Sequence, residues 1–277
     1  MSDEPAIPDQ GERSTTELWR SILTGEDPGL PALRRRFHRI PSDPRCKMCA
    51  APFRGPGKLI TRLMMHGQSS ANPMLCNLCF GKIGKGPGGA EIEISVLFAD
   101  IRGSTGIAER TSAGEFRRLV QRFYLGAAKA IHEHDGIVDK FLGDGIMALF
   151  IPLVTGELHA IRAIEAGEAV LRDATTRQLV DGGVGVGVGV HTGVAFVGVV
   201  GDDERRDFTA LGDTVNVAAR LGSDAGRGEL LVSGVAWAAG GRVEAAERRA
   251  LSVKGRTEPL EVVVLRDGAT APPVAAG

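Results

Sequence analysis

Asp100 closes an apolar run made by Ile92, Ile94, Val96, Leu97 and Phe98, and Asp144 stands between Gly143 and Gly145, where the chain can reverse. Carboxylates are hard oxygen donors. Two held close together repel unless a cation lies between them, and magnesium or manganese is the ion such a pair selects. Singly, each aspartate reads more readily as a loop cap or a turn former. Asn216 and Arg220 are four apart in a segment of helical spacing and share a face. An amide beside a guanidinium can hold a ribose and a phosphate, because arginine matches phosphate oxygens in a fork. On spacing alone the pair also fits a solvated polar face. Lys140, Thr209 and Lys254 are unremarkable one at a time, as such residues mostly decorate surfaces.

A different chemistry is written in Cys46, Cys49, Cys76 and Cys79. Two Cys-x-x-Cys pairs separated by 26 residues are all the cysteine the chain has. Four thiolates complete a tetrahedral zinc shell, and a module of few large apolar side chains needs such a staple to fold. Zinc is the expected metal, with an iron–sulfur cluster or unligated thiols as alternatives. His66 is read as a surface residue and a substitute ligand only in second place. Around these cysteines stand Arg34, Arg35, Arg36, Arg39, Arg45, Lys47, Arg54, Lys58, Arg62, Lys82 and Lys85 against one acid, Asp43, although the net charge of the whole chain is -1. The basic excess fits an anionic surface or nucleic acid. Phe37, Phe53 and Phe80 are few for base stacking. A regulatory or dimer-supporting role is the competing expectation.

The elements that must position these groups are legible from periodicity. Residues 1–30 read as a flexible tail with a short helix around Leu18, Trp19, Ile22 and Leu23, and 31–83 as the basic four-cysteine metal-binding module. A glycine-rich linker over 84–89, one α/β domain over 90–267 and a disordered end over 268–277 complete the chain. In the large domain a strand ends at Asp100. A helix capped by Thr111 or Ser112 carries Phe116, Leu119, Val120, Phe123, Ala127, Ala130 and Ile131 at helical spacing and stops at Gly136. Strands at Ile137–Leu142 and Ile146–Ile151 form a hairpin with Asp144 at its tip. A helix over about 157–177 is followed by separate strands near 184–191 and 195–200. A helix over about 213–221, with Val215, Ala218, Ala219 and Leu221 as its apolar side, precedes strands near 230–232, 249–253 and 260–265. The fold class is α+β, a ferredoxin-like βαββαβ core with elements added behind it and a small N-terminal metal-binding module. No run is apolar and long enough for a membrane span, and the first 20 residues lack the apolar core of a signal peptide, so the expected location is cytoplasmic.

Five segments occur in order: LFADIRGST at 97–105, VDKFLGDGIMA at 138–148, GVHTG at 189–193, TALGDTVNVAAR at 209–220 and VKGR at 253–256. Together they closely resemble the catalytic domain of class III adenylate/guanylate cyclases, over roughly Ile92 to Leu265. The resemblance implies that Asp100 and Asp144, with the Ile101 backbone, bind two Mg2+ or Mn2+ ions. It further implies that Asn216 orients the ribose, Arg220 stabilises the α-phosphate in the transition state and Lys254 binds the triphosphate. Gly103, Ser104 and Thr105 would lie along the phosphates, Ser104 replacing the phenylalanine of many members. Lys140 and Thr209 would read the base. Lysine is the adenine type, and threonine departs from the commoner aspartate while still able to accept from the exocyclic amine. ATP is therefore the expected substrate and 3',5'-cyclic AMP the product. Guanylate cyclase, or a non-catalytic regulatory domain with a nucleic-acid-binding N-terminal module, are the alternatives. The resemblance also implies a homodimer, each site drawing its metal aspartates from one subunit and its base, ribose and transition-state residues from the other.

Overall fold

A computed structural model of the chain describes residues 10–26, 29–40, 44–70, 75–82, 88–176, 185–201, 206–242, 247–252 and 259–266. In chain order the elements are α1 (Gln10–Thr24), α2 (Gly29–His38), α3 (Gly57–Leu63), α4 (Asn77–Lys82), β1 (Gly88–Arg102), α5 (Ser104–Arg110) and α6 (Ala113–Glu133). The hairpin β2 (Ile137–Leu142) and β3 (Gly145–Phe150), α7 (Pro152–Thr155) and α8 (His159–Thr176) follow. Then come β4 (Gly185–Gly201), β5 (Arg206–Leu211), α9 (Asp213–Asp224), β6 (Glu229–Ser233), α10 (Gly234–Ala239), β7 (Glu247–Leu251) and β8 (Leu260–Arg266). Among the described residues no helix is long and apolar enough to cross a membrane. The chain divides into two compact units, one of residues 1–93, 151–156 and 194–211, the other of 94–150, 157–193 and 212–277.

The sheet runs β2-β3-β1-β4-β6-β8-β7, with β5 paired to β4. Its first four strands have the order of a ferredoxin-like βαββαβ core. In the second unit strand alternation sorts the helices onto two faces. Leu97, Ala99 and Ile101 of β1, Ile146, Ala148 and Phe150 of β3 and Leu230 and Val232 of β6 share one core with α6 and α8. Leu231, Val262 and Val264 point the other way and pack with Val217 and Leu221 of α9. Helix α6 begins where expected, at Ser112, whose hydroxyl accepts from Glu115 N while the Glu115 carboxylate accepts from Ser112 N. This reciprocal cap satisfies two of the helix's otherwise orphaned donors.

Several expectations change. The two strands expected at 184–191 and 195–200 are one strand, β4, because Gly193 stays extended instead of turning. Helices α5 and α10 and strand β5 were not foreseen; each is seven residues or shorter, too little sequence for a period to show. The N-terminal tail carries a 15-residue helix whose Trp19, Ile22 and Leu23 are buried. Gly88 and Gly89 belong to β1 and not to a free linker: a Cβ at Gly88 would lie 2.6 Å from Trp19 Nε1, and one at Gly89 2.4 Å from Val197 O. The rest of the expected linker, Lys254 and the segment 268–277 lie outside the described residues.

Candidate active site

Asp100 is the penultimate-but-one residue of β1 and pairs across to Gly145. Since Leu97, Ala99 and Ile101 face α6 and α8, alternation turns Phe98 and Asp100 to the face that α9 covers. Asp144 occupies a two-residue turn with Gly143, which takes the left-handed φ of 66° that a side chain would resist. The turn is fixed from two sides. Ile101 N donates to Asp144 O at 3.2 Å, and the Tyr124 hydroxyl donates to Gly143 O. Burial pushes the Asp100 carboxyl up, the Arg102 guanidinium beside it pulls down, and the Asp144 charge pushes up again, leaving it above the ordinary carboxylate value. A carboxyl whose ionisation is opposed by burial and by a neighbouring carboxylate charge, with hard oxygens on both side chains, fits a divalent cation between them. Arg102 also donates to Ser223 O at 2.6 Å and to Gly222 O, so the end of β1 is bound to the last turn of α9.

Lys140 reaches this same face through a register shift. Val138 stands opposite Ala148, which faces α6 and α8, yet Lys140 stands opposite Met147, which faces away from them. Asp139 is the extra residue of the bulge. Regular alternation would have sent Lys140 to the helix side with Val138. The Asp139 side chain is fully buried and its Oδ2 lies 3.5 Å from Lys140 Nζ. Sequence reasoning gave Asp139 no role, because the shift is set by its partners across the ladder.

Asn216 and Arg220 are both exposed on α9, while Thr214, Val217, Ala218 and Leu221 are buried. The apolar side is thus centred on Val217, and Val215 and Ala219, assigned to it from spacing, are only half-buried. Arg220 Nε donates to Asp224 Oδ2 at 3.1 Å. The GVHTG segment positions this helix. A Cβ on Gly189 would lie 2.1 Å from Gly222 N, so only glycine lets α9 lie this close to β4. Its His191 bonds Ser233 Oγ through Nδ1 at 2.7 Å inside the sheet. Gly103, with φ 74°, precedes α5, and Ser104 and Thr105 open that helix. Thr209 belongs to the other unit. It lies on β5 opposite Gly198 and is 2% exposed. Lys254 falls outside the described residues.

The four cysteines gather as one buried cluster, their sulfurs all within 4.8 Å of one another. Each pair sits at a knuckle. Cys46 N donates to Ala51 O at 2.9 Å and Ala50 N to Cys46 O at 2.9 Å; on the other side Phe80 N donates to Cys76 O at 2.9 Å. Burial pushes the Cys46 thiol up, but hydrogen bonds from Cys49, Cys76 and Cys79 outweigh it and hold it well below the ordinary value. The same contacts with Cys46 drive Cys49 and Cys79 upward. Four thiols in mutual contact cannot all ionise unaided, and a soft cation resolves the conflict. His66 is not the surface residue expected: it is 4% exposed, with Nδ1 3.3 Å from Cys76 Sγ and 3.6 Å from Cys49 Sγ. Some of the basic excess is structural. Arg34 Nη1 donates to Lys47 O and Met48 O at 2.8 and 2.9 Å, and Arg45 Nη1 to Phe37 O and Ala50 O at 3.0 and 3.1 Å.

Residues 90–266 match the family described as the adenylate and guanylate cyclase catalytic domain. The chain belongs to that family. Among curated proteins, an adenylate cyclase of Anabaena cylindrica is 37% identical over 132 residues, 46% of this chain and 26% of that protein. Adenylate cyclase 1 of Rhizobium meliloti is 35% identical over 134 residues, 47% of this chain and 20% of that protein. The matched stretch is about a quarter or less of these relatives' length. Among solved structures, the guanylyl cyclase Cya2 superposes with a TM-score of 0.60 at 27% identity, over 64% of this chain and 93% of that one. The adenylyl cyclase CyaB from P. aeruginosa gives 0.59 at 28%, over 66% and 98%. These cyclases cover the large domain, so the mixed sheet with helices is the cyclase fold.

Proposed function

We propose that the chain is an adenylate cyclase that converts ATP to 3',5'-cyclic AMP and pyrophosphate in a homodimer. The observation that carries this reading is the convergence on one sheet face: Asp100, Lys140 and the α9 that bears Asn216 and Arg220 all lie on the side away from α6 and α8. Divalent metal held by Asp100 and Asp144 would supply charge neutralisation of the triphosphate and a lower pKa for the ribose hydroxyl. The 3'-oxygen gives its proton to solvent and bonds to the α-phosphorus as the bond from that phosphorus to the oxygen bridging the β-phosphate breaks and pyrophosphate leaves. Asn216 orients the ribose, so that attack is in line. Arg220, freed from Asp224, meets the charge that builds on the α-phosphate. Lys140 and Thr209 favour adenine, the lysine by donating to a ring nitrogen and the threonine by accepting from the exocyclic amine. Gly103, Ser104, Thr105 and Lys254 are assigned to the phosphates by their match to the family. Zinc at the four cysteines fits the all-thiolate donor set.

A second reading, GTP as substrate, is favoured by one observation: the Cya2 structure that superposes on this chain is named as a guanylyl cyclase. Incubating the purified chain with ATP or GTP and magnesium or manganese, then separating products by chromatography, decides between them. Cyclic GMP as the main product would overturn the roles given to Lys140 and Thr209. Mixing Asp100→Ala with Arg220→Ala chains, each inactive alone, tests the shared site. Recovered activity is expected, and none would count against a homodimeric arrangement.

A further inference from the structure

The strand that carries Thr209 is held from behind by the cysteine module. Within the first unit, Phe208 is fully buried and its ring stacks on Trp19 of α1, with centroids 6.3 Å apart and planes 20° from parallel. Lys47 sits between Cys46 and Cys49. Its Nζ donates to Phe208 O at 3.4 Å and lies 6.0 Å from the centre of the same ring. Strand β5 pairs only with β4 among the described strands, so its far edge offers carbonyls that no strand covers. Lys47 supplies one of the missing donors. The knuckle cannot drift, because Arg34 binds the Lys47 and Met48 carbonyls and the two cysteines flank them. On α1, the Trp19 indole is wholly buried against Gly88, where a Cβ would lie 2.6 Å from Nε1. Ring and carbonyl of one residue are thus gripped by α1 and by the cysteine module, and the next residue is Thr209, whose side chain points from the opposite face of the strand.

We infer that Lys47 and Trp19 are positioning residues for base selection: the knuckle between Cys46 and Cys49 and helix α1 clamp Phe208, and the clamp sets where the Thr209 hydroxyl meets the base. This rests on Thr209 reading the base as proposed above. The module then acts on which nucleotide is accepted and not on the metal aspartates.

The test uses the full chain as wild type, Lys47→Met, Lys47→Arg and Phe208→Leu. Kinetics with ATP and with GTP are measured beside hydrogen exchange of residues 206–211. Lys47→Met should raise KM for ATP about fivefold and lower the ATP-to-GTP preference by a similar factor, the worth of one ordinary hydrogen bond, with kcat nearly unchanged. Lys47→Arg should restore most of both. Phe208→Leu should reproduce the loss, and exchange at 206–211 should quicken in Lys47→Met and Phe208→Leu alike. Unchanged exchange overturns the clamp. Quicker exchange with an unchanged nucleotide preference overturns its role in selection. Wild type that makes neither cyclic nucleotide rejects the cyclase reading instead, and exchange at 206–211 still decides the clamp.

Discussion

Replacing Gly189 by alanine tests how α9, the helix that bears Asn216 and Arg220, is placed. The new Cβ would stand 2.1 Å from Gly222 N, 2.5 Å from Leu221 C and 2.7 Å from Leu221 Cβ. Carbon needs roughly 3.5 Å, so about 1.4 Å of overlap must be relieved, and the obstacle is mostly backbone with no rotamer to yield. Helix α9 must back away from β4. Gly222 on the same turn already lies against Phe98, where a Cβ would be 2.9 Å from that residue's Cβ, and Arg102 holds the Gly222 and Ser223 carbonyls. The overpacking should cost about 1–3 kcal/mol of stability. A shift of about an ångström at Asn216 and Arg220 should cost about a hundredfold in turnover. Thermal unfolding by circular dichroism and initial rates of cyclic nucleotide formation read both effects. Gly81→Ala is the control, since nothing lies within 4 Å of its added methyl. A Gly189→Ala chain that melts and turns over like wild type would refute the claim that this glycine sets the position of α9.

Further outcomes follow from other contacts. Glu229 accepts from Arg249 at 2.7 and 3.0 Å and from Arg266 at 2.9 Å, and chiefly the Arg249 contact holds its carboxyl down to about 2. A carboxyl depressed on folding stabilises the native state above its unfolded pKa and loses that contribution as pH falls through the folded value. Glu229→Gln should therefore be less stable than wild type near pH 7, and urea unfolding should show the gap closing between roughly pH 4.3 and 2. Tyr124→Phe removes the donor to Gly143 O at the turn bearing Asp144 and should raise the magnesium needed for half-maximal rate, at a stability cost of about 0.5–1.5 kcal/mol. Elemental analysis should find zinc equimolar with the chain. Its chelation should shift the emission of Trp19, read in a Trp237→Phe background, and an unmoved spectrum would count against metal holding the module together.

Long, strongly patterned segments were legible without coordinates. The α6 stripe, its Ser112 cap and the β2–β3 hairpin follow from periodicity and turn chemistry, which act over few residues. Asn216 and Arg220 emerged on the exposed side of α9 because a four-residue interval fixes a shared face. What stayed hidden depended on distant chain. Strand β4 is unbroken at Gly193, though a glycine in a strand reads as a break. The register shift at Asp139 is decided by Met147 and Ala148 across the ladder and leaves no trace in the local pattern. His66 looked like a surface residue because histidine commonly is one, and only the folding of both knuckles around it buries the ring. Arg34 and Arg45 counted toward an anionic partner, whereas their guanidinium groups are engaged with main-chain carbonyls.

The bulge in β2 divides that strand into two lengths phased independently. Ile137 and Val138 take their orientation from the core, whereas Lys140, Phe141 and Leu142 take theirs from the turn that follows. Deleting Asp139 would heal the ladder and leave Lys140 opposite Met147, while inserting a residue between Lys140 and Gly143 would turn it away. On the role proposed for Lys140, nucleotide preference can consequently drift by substitution at position 140 without disturbing the interior. A change of length on the turn side would abolish it in one step, so descendants of this sequence are free to vary the letter there but not the count.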